Sequence, residues 1–144
     1  MVHIEDAGSE FEAPVEAVWA FLSAAEVHGK AHSSRRSVQA TPSGENGIML
    51  TFEMKLGDQW VRGRNRIARY PPLGMATEGL EGPLAGSKWM TYYTPKGNRT
   101  GVTVVGEFTS SSLPPDQIEA TARRVMSEAF DEDAPAIRAF VAKK

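Results

Sequence analysis

Residues 115–141 read Pro-Asp-Gln-Ile-Glu-Ala-Thr-Ala-Arg-Arg-Val-Met-Ser-Glu-Ala-Phe-Asp-Glu-Asp-Ala-Pro-Ala-Ile-Arg-Ala-Phe-Val. Ile118, Ala122, Val125, Met126, Ala129 and Phe130 recur at steps of three and four, which collects them on one side of a helix. Glu119, Arg123, Arg124 and Glu128 take the other side. Asp116 and Glu119 in the first turn, with Lys143 and Lys144 just past the end, suit the helix dipole. Pro114 and Pro115 set the start. Pro135 cannot donate an interior hydrogen bond, so either a kink or a second short helix capped by Asp133 and carrying Ile137, Phe140 and Val141 is expected there. An amphipathic helix of this length needs an apolar surface to lie on, and the chain before it supplies strands.

Upstream, Val2 to Glu12 reads as extended. Pro14 suits the first position of a helix, and Val15, Val18, Trp19 and Leu22 give that helix one apolar stripe. Ala24 to Arg36, with Glu26, His28, Lys30, His32, Arg35 and Arg36 among small residues, reads as a second short helix or an ordered loop. Ser37 to Thr41 is a short strand, and Pro42 to Gly47 is a turn. Ile48–Leu56 and Gln59–Tyr70 form a hairpin around Gly57-Asp58, and Pro71-Pro72-Leu73-Gly74 ends it. Met75–Glu81 is a further strand. Ser87–Lys96 and Arg99–Thr109 form a second hairpin around Gly97-Asn98, in which Asn98-Arg99-Thr100 matches a glycosylation sequon best read as part of a turn.

The two turns fix two registers, and each can be checked against its opposite face. In the first hairpin Ile48 meets Ile67, Leu50 meets Asn65, Phe52 meets Gly63 and Met54 meets Val61. The other face pairs Glu53 with Arg62, Thr51 with Arg64 and Met49 with Arg66. In the second, Tyr93 meets Val102, Thr91 meets Val104, Trp89 meets Gly106 and Ser87 meets Phe108, with Lys88 opposite Glu107 behind. Both inner faces are apolar but interrupted. Phe52 beside Gly63, Trp89 beside Gly106, and polar atoms on Asn65, Thr91, Tyr93 and Ser87 fit a cavity; the alternative is that the glycines mark bulges or bends in a curved sheet.

The order strand, two short helices, six strands and a long terminal helix defines an α+β chain. Its stretch Phe11-Glu12-Ala13-Pro14-Val15-Glu16-Ala17-Val18-Trp19-Ala20-Phe21-Leu22 resembles the opening signature of the START-like, or SRPBCC, superfamily. The Tyr70-Pro71-Pro72 break and the Asp133-Ala134-Pro135 segment resemble its polyketide cyclase/dehydrase-like branch. The resemblance implies a helix-grip fold over residues 1–144 as one domain: a seven-stranded antiparallel sheet wrapped around the C-terminal helix, two short helices between the first and second strands, and a cavity for hydrophobic small molecules. Relatives of this kind include lipid carriers, plant-hormone receptors, aromatase/cyclases and ring-hydroxylating oxygenase domains, so the fold does not select among them.

At 144 residues, with net charge −2 and a pI near 5.9, the composition points to neither nucleic acid nor an anionic membrane. The chain has no cysteine, which excludes disulfides, thiolate chemistry and sulfur-bound zinc. It has no apolar run near the roughly 20 residues of a membrane span, and Met1 to Asp6 lacks the basic and apolar regions of a secretion signal, so a cytoplasmic protein is expected. A monomer or weak homodimer is expected.

Several side chains are candidates for chemistry. His28 and His32 stand four apart, as two metal ligands on a helix would, but without an HExxH motif an exposed pair is the commoner outcome; in the resembled fold they border the cavity mouth. Arg62, Arg64 and Arg66 form one charged face, read as solvated outer surface; a reversed register would turn them inward to meet a carboxylate or phenolate. A ligand site is expected from Phe52, Met54, Trp89, Tyr93, Met126 and Phe130 as apolar wall, Asn65, Thr91 and Tyr93 as orienting polarity, and His28 and His32 at the entrance. No metal or cofactor is expected. The leading reading is binding of a hydrophobic or aromatic molecule of lipid, polyketide or isoprenoid type. The alternatives are a cyclase or dehydratase on the same cavity, and a protein-interaction domain like the chaperone-ATPase activators.

Overall fold

The computed structural model describes residues 1–24 and 35–143. The second short helix expected within Ala24 to Arg36, with His28 and His32, falls largely on 25–34, outside the described residues. The elements are β1 (Val2–Phe11), α1 (Val15–Ser23), β2 (Arg35–Pro42), β3 (Gly47–Leu56), β4 (Gln59–Tyr70), β5 (Gly74–Glu81), β6 (Lys88–Lys96), β7 (Arg99–Phe108) and α2 (Pro115–Ala142). All seven strands form one antiparallel sheet in the order β1-β7-β6-β5-β4-β3-β2. Sequential strands are neighbours except that β1 closes on β7, so the first and second strands of the chain are the two edges.

Both hairpins take the registers that their turns imply. Leu50 lies opposite Asn65 and Phe52 opposite Gly63, and Trp89 lies opposite Gly106 and Tyr93 opposite Val102. Gly57 at φ 61° and Gly97 at φ 68° supply the left-handed first position that primed turns require. The alternation therefore sends Arg62, Arg64 and Arg66 to the outer face. There Arg62 and Arg64 approach Glu81 at 3.5 and 3.3 Å and Arg66 approaches Glu78 at 3.6 Å. Glu53, opposite Arg62 in the ladder, instead meets Arg36 at 3.4 Å. Such exposed pairs contribute about 0–1 kcal/mol each.

Three local expectations are corrected. Pro14 is the N-cap of α1 and not its first helical residue, its carbonyl accepting from the Ala17 and Val18 amides at 3.0 and 3.1 Å. Strand β2 begins at Arg35 rather than Ser37, and a register shift between Arg36 and Gln39, with Ser37 at φ 55°, forms a bulge near its start. The C-terminal helix is not split into two: α2 runs through Pro135, which is exposed, so the missing hydrogen bond falls on the water side. Asp133 is then no cap but a buried residue on the inward stripe.

Apolar burial is divided between two clusters. Phe11, Ala13, Val15, Val18, Trp19, Phe21, Tyr93 and Ile137 form one, joining α1 to the C-terminal half of α2. Ile4, Phe108, Ile118 and Ala122 form the other, under the N-terminal half. Aromatic pairs tie the first together: Phe11 stacks on Phe130 at 4.9 Å, and Trp19 meets the edge of Tyr93 at 5.6 Å. Trp19 also donates from its indole nitrogen to the Pro72 carbonyl at 3.1 Å, anchoring the β4–β5 turn.

The glycines of the inner face make room for rings. A Cβ on Gly63 would stand 2.5 Å from the outer edge of the Phe52 ring. On Gly106 it would stand 2.5 Å from the Trp89 Cβ and 2.9 Å from the Lys88 carbonyl. The Phe52 ring can turn aside, whereas the atoms around Gly106 are fixed to the backbone. Gly106→Ala is therefore expected to cost about 1–3 kcal/mol in urea unfolding and Gly63→Ala less than about 1 kcal/mol. Equal costs would contradict the difference between a displaceable ring edge at Gly63 and backbone-fixed atoms at Gly106.

Burial raises the pKa of the Tyr93 phenol above its usual 10.0, and the charge of Asp133 adds to the rise. The unfolded chain thus releases this proton before the folded one does. Stability from the neutral phenol is full below about pH 10 and falls as pH rises beyond it. Urea midpoints between pH 9 and about 11.5 are expected to fall more steeply for the wild type than for Tyr93→Phe; parallel slopes would count against a buried phenol.

Candidate functional site

Cross-strand pairing lays the inner face out in rows. One row runs Ile48, Ile67, Thr77, Trp89, Gly106, Ile4 across β3, β4, β5, β6, β7 and β1. Beside it lie Leu50, Asn65 and Gly79, then Phe52 with Gly63 and Met54 with Val61. On the other side Met75, Thr91 and Val104 form a row, followed by Tyr93 and Val102. All six strand residues expected to line a ligand site therefore share this concave face, and Met126 and Phe130 face it from α2.

They do not have equal roles there. Tyr93 belongs to the packed cluster around Trp19, and Phe130, stacked on Phe11, packs against the same cluster. Trp89 stacks on Phe108 at 5.4 Å and packs with Met126 against the second cluster. Phe52, Met54, Asn65 and Thr91 belong to neither cluster. The helix comes closest to β1, β7 and α1. On β3 and β4 the apolar side chains Ile48, Leu50, Met54 and Ile67 are only partly buried by the described residues.

The polar groups of this face make the same point. Ser87 and Thr100 are fully buried and satisfied: the Ser87 hydroxyl donates to the Thr109 carbonyl at 3.0 Å, and Thr100 donates to the Ala13 carbonyl at 2.8 Å. Asn65 and Thr77 are 8 % and 7 % exposed, on the concave face. Neither side chain hydrogen-bonds another described residue, and neither is among the fully enclosed polar atoms left unpaired, so their polar atoms stay open to water or a ligand on this face.

The interior also contains charge that the sequence did not single out. Arg35 pairs with Met54 across β2 and β3, on the inner side of the sheet. Its guanidinium lies over the Phe52 ring, 5.0 Å from the centroid. Loss of solvent lowers its pKa, and the charges of Asp133 and Glu132 on α2 act in the opposite direction. Arg35 lines a cleft of about 10 Å³ with Met54, Lys55, Arg124, Val125, Glu128 and Ala129, room for about one water. Asp133 is legible in retrospect: it stands seven after Met126, three after Phe130 and four before Ile137, on the inward stripe. Arg35 was hidden because the segment up to Arg36 reads as a helix or loop, so no strand face was assigned to it.

Among the described residues no group of His, Asp and Glu is placed to hold a metal ion, and no helix is long and apolar enough to cross a membrane. No protein-family model matches the sequence, and no curated protein matches it. Solved structures match over nearly the whole chain. A START superfamily protein from Mycobacterium smegmatis superposes with a TM-score of 0.76 at 12% identity, over 94% of this chain and 97% of that one. The Zhui aromatase/cyclase from Streptomyces sp. R1128 gives 0.73 at 14% identity, over 94% and 90%. Norcoclaurine synthase from Thalictrum flavum, solved with dopamine and hydroxybenzaldehyde, gives 0.69 at 13% identity, over 99% and 88%. Such identities speak to architecture alone, and with the sheet order and terminal helix they establish that the chain has the START-like helix-grip fold.

Proposed function

We propose that this protein binds a hydrophobic or aromatic small molecule between α2 and the β3–β6 part of the concave sheet. The observation that carries this reading is the pair Asn65 and Thr77, side chains on the inner face that make no hydrogen bond to another described residue and whose polar atoms are not sealed off from solvent-sized space. Phe52, Met54 and Thr91 supply wall, with Trp89, Met126 and Phe130 at its margins. Tyr93 acts as a packed boundary more than as a hydrogen-bonding group. The similarity to a norcoclaurine synthase solved with two aromatic compounds and to an aromatase/cyclase supports a ligand of this chemical kind.

A second reading, turnover of the cyclase or dehydratase type in the same space, draws on the grouping of Arg35, Asp133 and Tyr93 at the apolar wall, where perturbed groups gather. The raised phenol pKa makes Tyr93 a proton donor or a spectator at neutral pH, not a base. Product formation that Asp133→Asn abolishes while binding persists would establish turnover.

Asn65→Leu separates binding from folding. Replacing an unpaired buried amide with an apolar side chain of similar size is expected to raise the melting temperature of the unliganded protein, by about 1 kcal/mol in stability. The same change is expected to weaken whichever lipophilic or aromatic compound most raises the wild-type melting temperature in a broad screen, where saturation at 100 Kd stabilises by about 2.7 kcal/mol. Destabilisation by Asn65→Leu, or no compound shifting the wild type, would contradict the proposal.

A further inference from the structure

Arg35 is set apart from the arginines of the outer face by its surroundings. Arg36, Arg62, Arg64 and Arg66 each have a carboxylate within 4 Å, Glu53, Glu81 or Glu78. Arg35 has no ion pair among the described residues, and its guanidinium carbon lies over the Phe52 ring. A guanidinium satisfied only by a ring keeps N–H donors for an anion, in a fork that matches a carboxylate. The bulge at Ser37 and the Arg35–Met54 pairing direct this group to the sheet's inner side.

The cleft around it is unequal in charge. Arg35, Lys55 and Arg124 contribute three cations to its lining and Glu128 one carboxylate, beside apolar Met54, Val125 and Ala129. Asp133 and Glu132 lie farther along α2 and act on Arg35 through space. Space for about one water lies among these groups, enough for a single oxygen atom of a bound headgroup. Phe52 borders the cleft on its inner side: Arg35 lies over its ring and Gly63 adjoins the ring's outer edge.

We propose that the ligand is an amphipathic anion, a carboxylate or phenolate on an apolar body, with its charged oxygen at Arg35 in the cleft between β2–β3 and α2 and its body inward along Phe52. This rests on the pocket reading above and narrows it to a chemical class. Lys55 and Arg124 add long-range attraction, and Glu128, Asp133 and Glu132 oppose it. The burial that depresses the Arg35 pKa also strengthens a charge-assisted hydrogen bond to an anion that reaches it.

The test compares matched probes that differ in charge: 2-naphthoate with 2-naphthylmethanol, and dodecanoate with 1-dodecanol, titrated into the full chain at pH 7 and followed by tryptophan fluorescence. In the wild type the anion of a pair is expected to bind about tenfold tighter or better than its neutral partner. Arg35→Met is expected to remove that preference while leaving the neutral probe's affinity unchanged. Arg35→Lys should keep part of it, and Glu128→Gln should tighten the anion alone by roughly threefold. Equal affinities within each pair, or a neutral preference, overturn the anion assignment and leave the pocket standing. Failure of all four probes to bind overturns the pocket and the assignment together. The wild-type comparison decides even if a variant does not fold.

Discussion

The structure depends on a mismatch in width. Seven strands at about 4.8 Å spacing make a sheet face about 29 Å across, and a helix with its side chains is about 10–12 Å wide. One helix cannot cover that face. Here α2 settles along β1 and β7, where Ile118 and Ala122 meet Ile4 and Phe108, and α1 brings Trp19 and Phe21 against the other end. Among the described residues, the apolar side chains of β3 to β5 receive less of a second layer than those of β1 and β7.

The polar groups on the uncovered part are then the informative ones. Ser87 and Thr100 pair their buried hydroxyls within their own neighbourhoods, whereas Asn65 and Thr77 leave their polar atoms open on the concave face. The mechanical core lies elsewhere, in the aromatic stacks of Phe11 with Phe130 and of Trp89 with Phe108. Several residues that look like ligand contacts in the sequence, Tyr93, Phe130 and Trp89 among them, are thus part of the packed clusters or packed against them.

Much of this was legible in the sequence for one reason: two-residue turns at Gly57-Asp58 and Gly97-Asn98 set the registers, and strict alternation then assigns every side chain to a face. The outward course of Arg62, Arg64 and Arg66 follows from the same rule. The gaps at Gly63 and Gly106 were ambiguous because a missing Cβ can open a space or admit a ring, and here it admits Phe52 and Trp89. Arg35 escaped notice because Ala24 to Arg36 reads as a helix or loop, whereas β2 already begins at Arg35. Asp133 escaped because Pro135 suggested a helix boundary nearby, while the helix continues with its proline facing water.

The most direct measurement is a crystal structure of the protein as purified, at a resolution that shows ordered water. The account requires density for water or a lipophile within about 3 Å of the Asn65 amide and the Thr77 hydroxyl, between α2 and the sheet. Finding both side chains hydrogen-bonded to protein atoms, with the interval between α2 and β3–β5 filled by side chains, would contradict it.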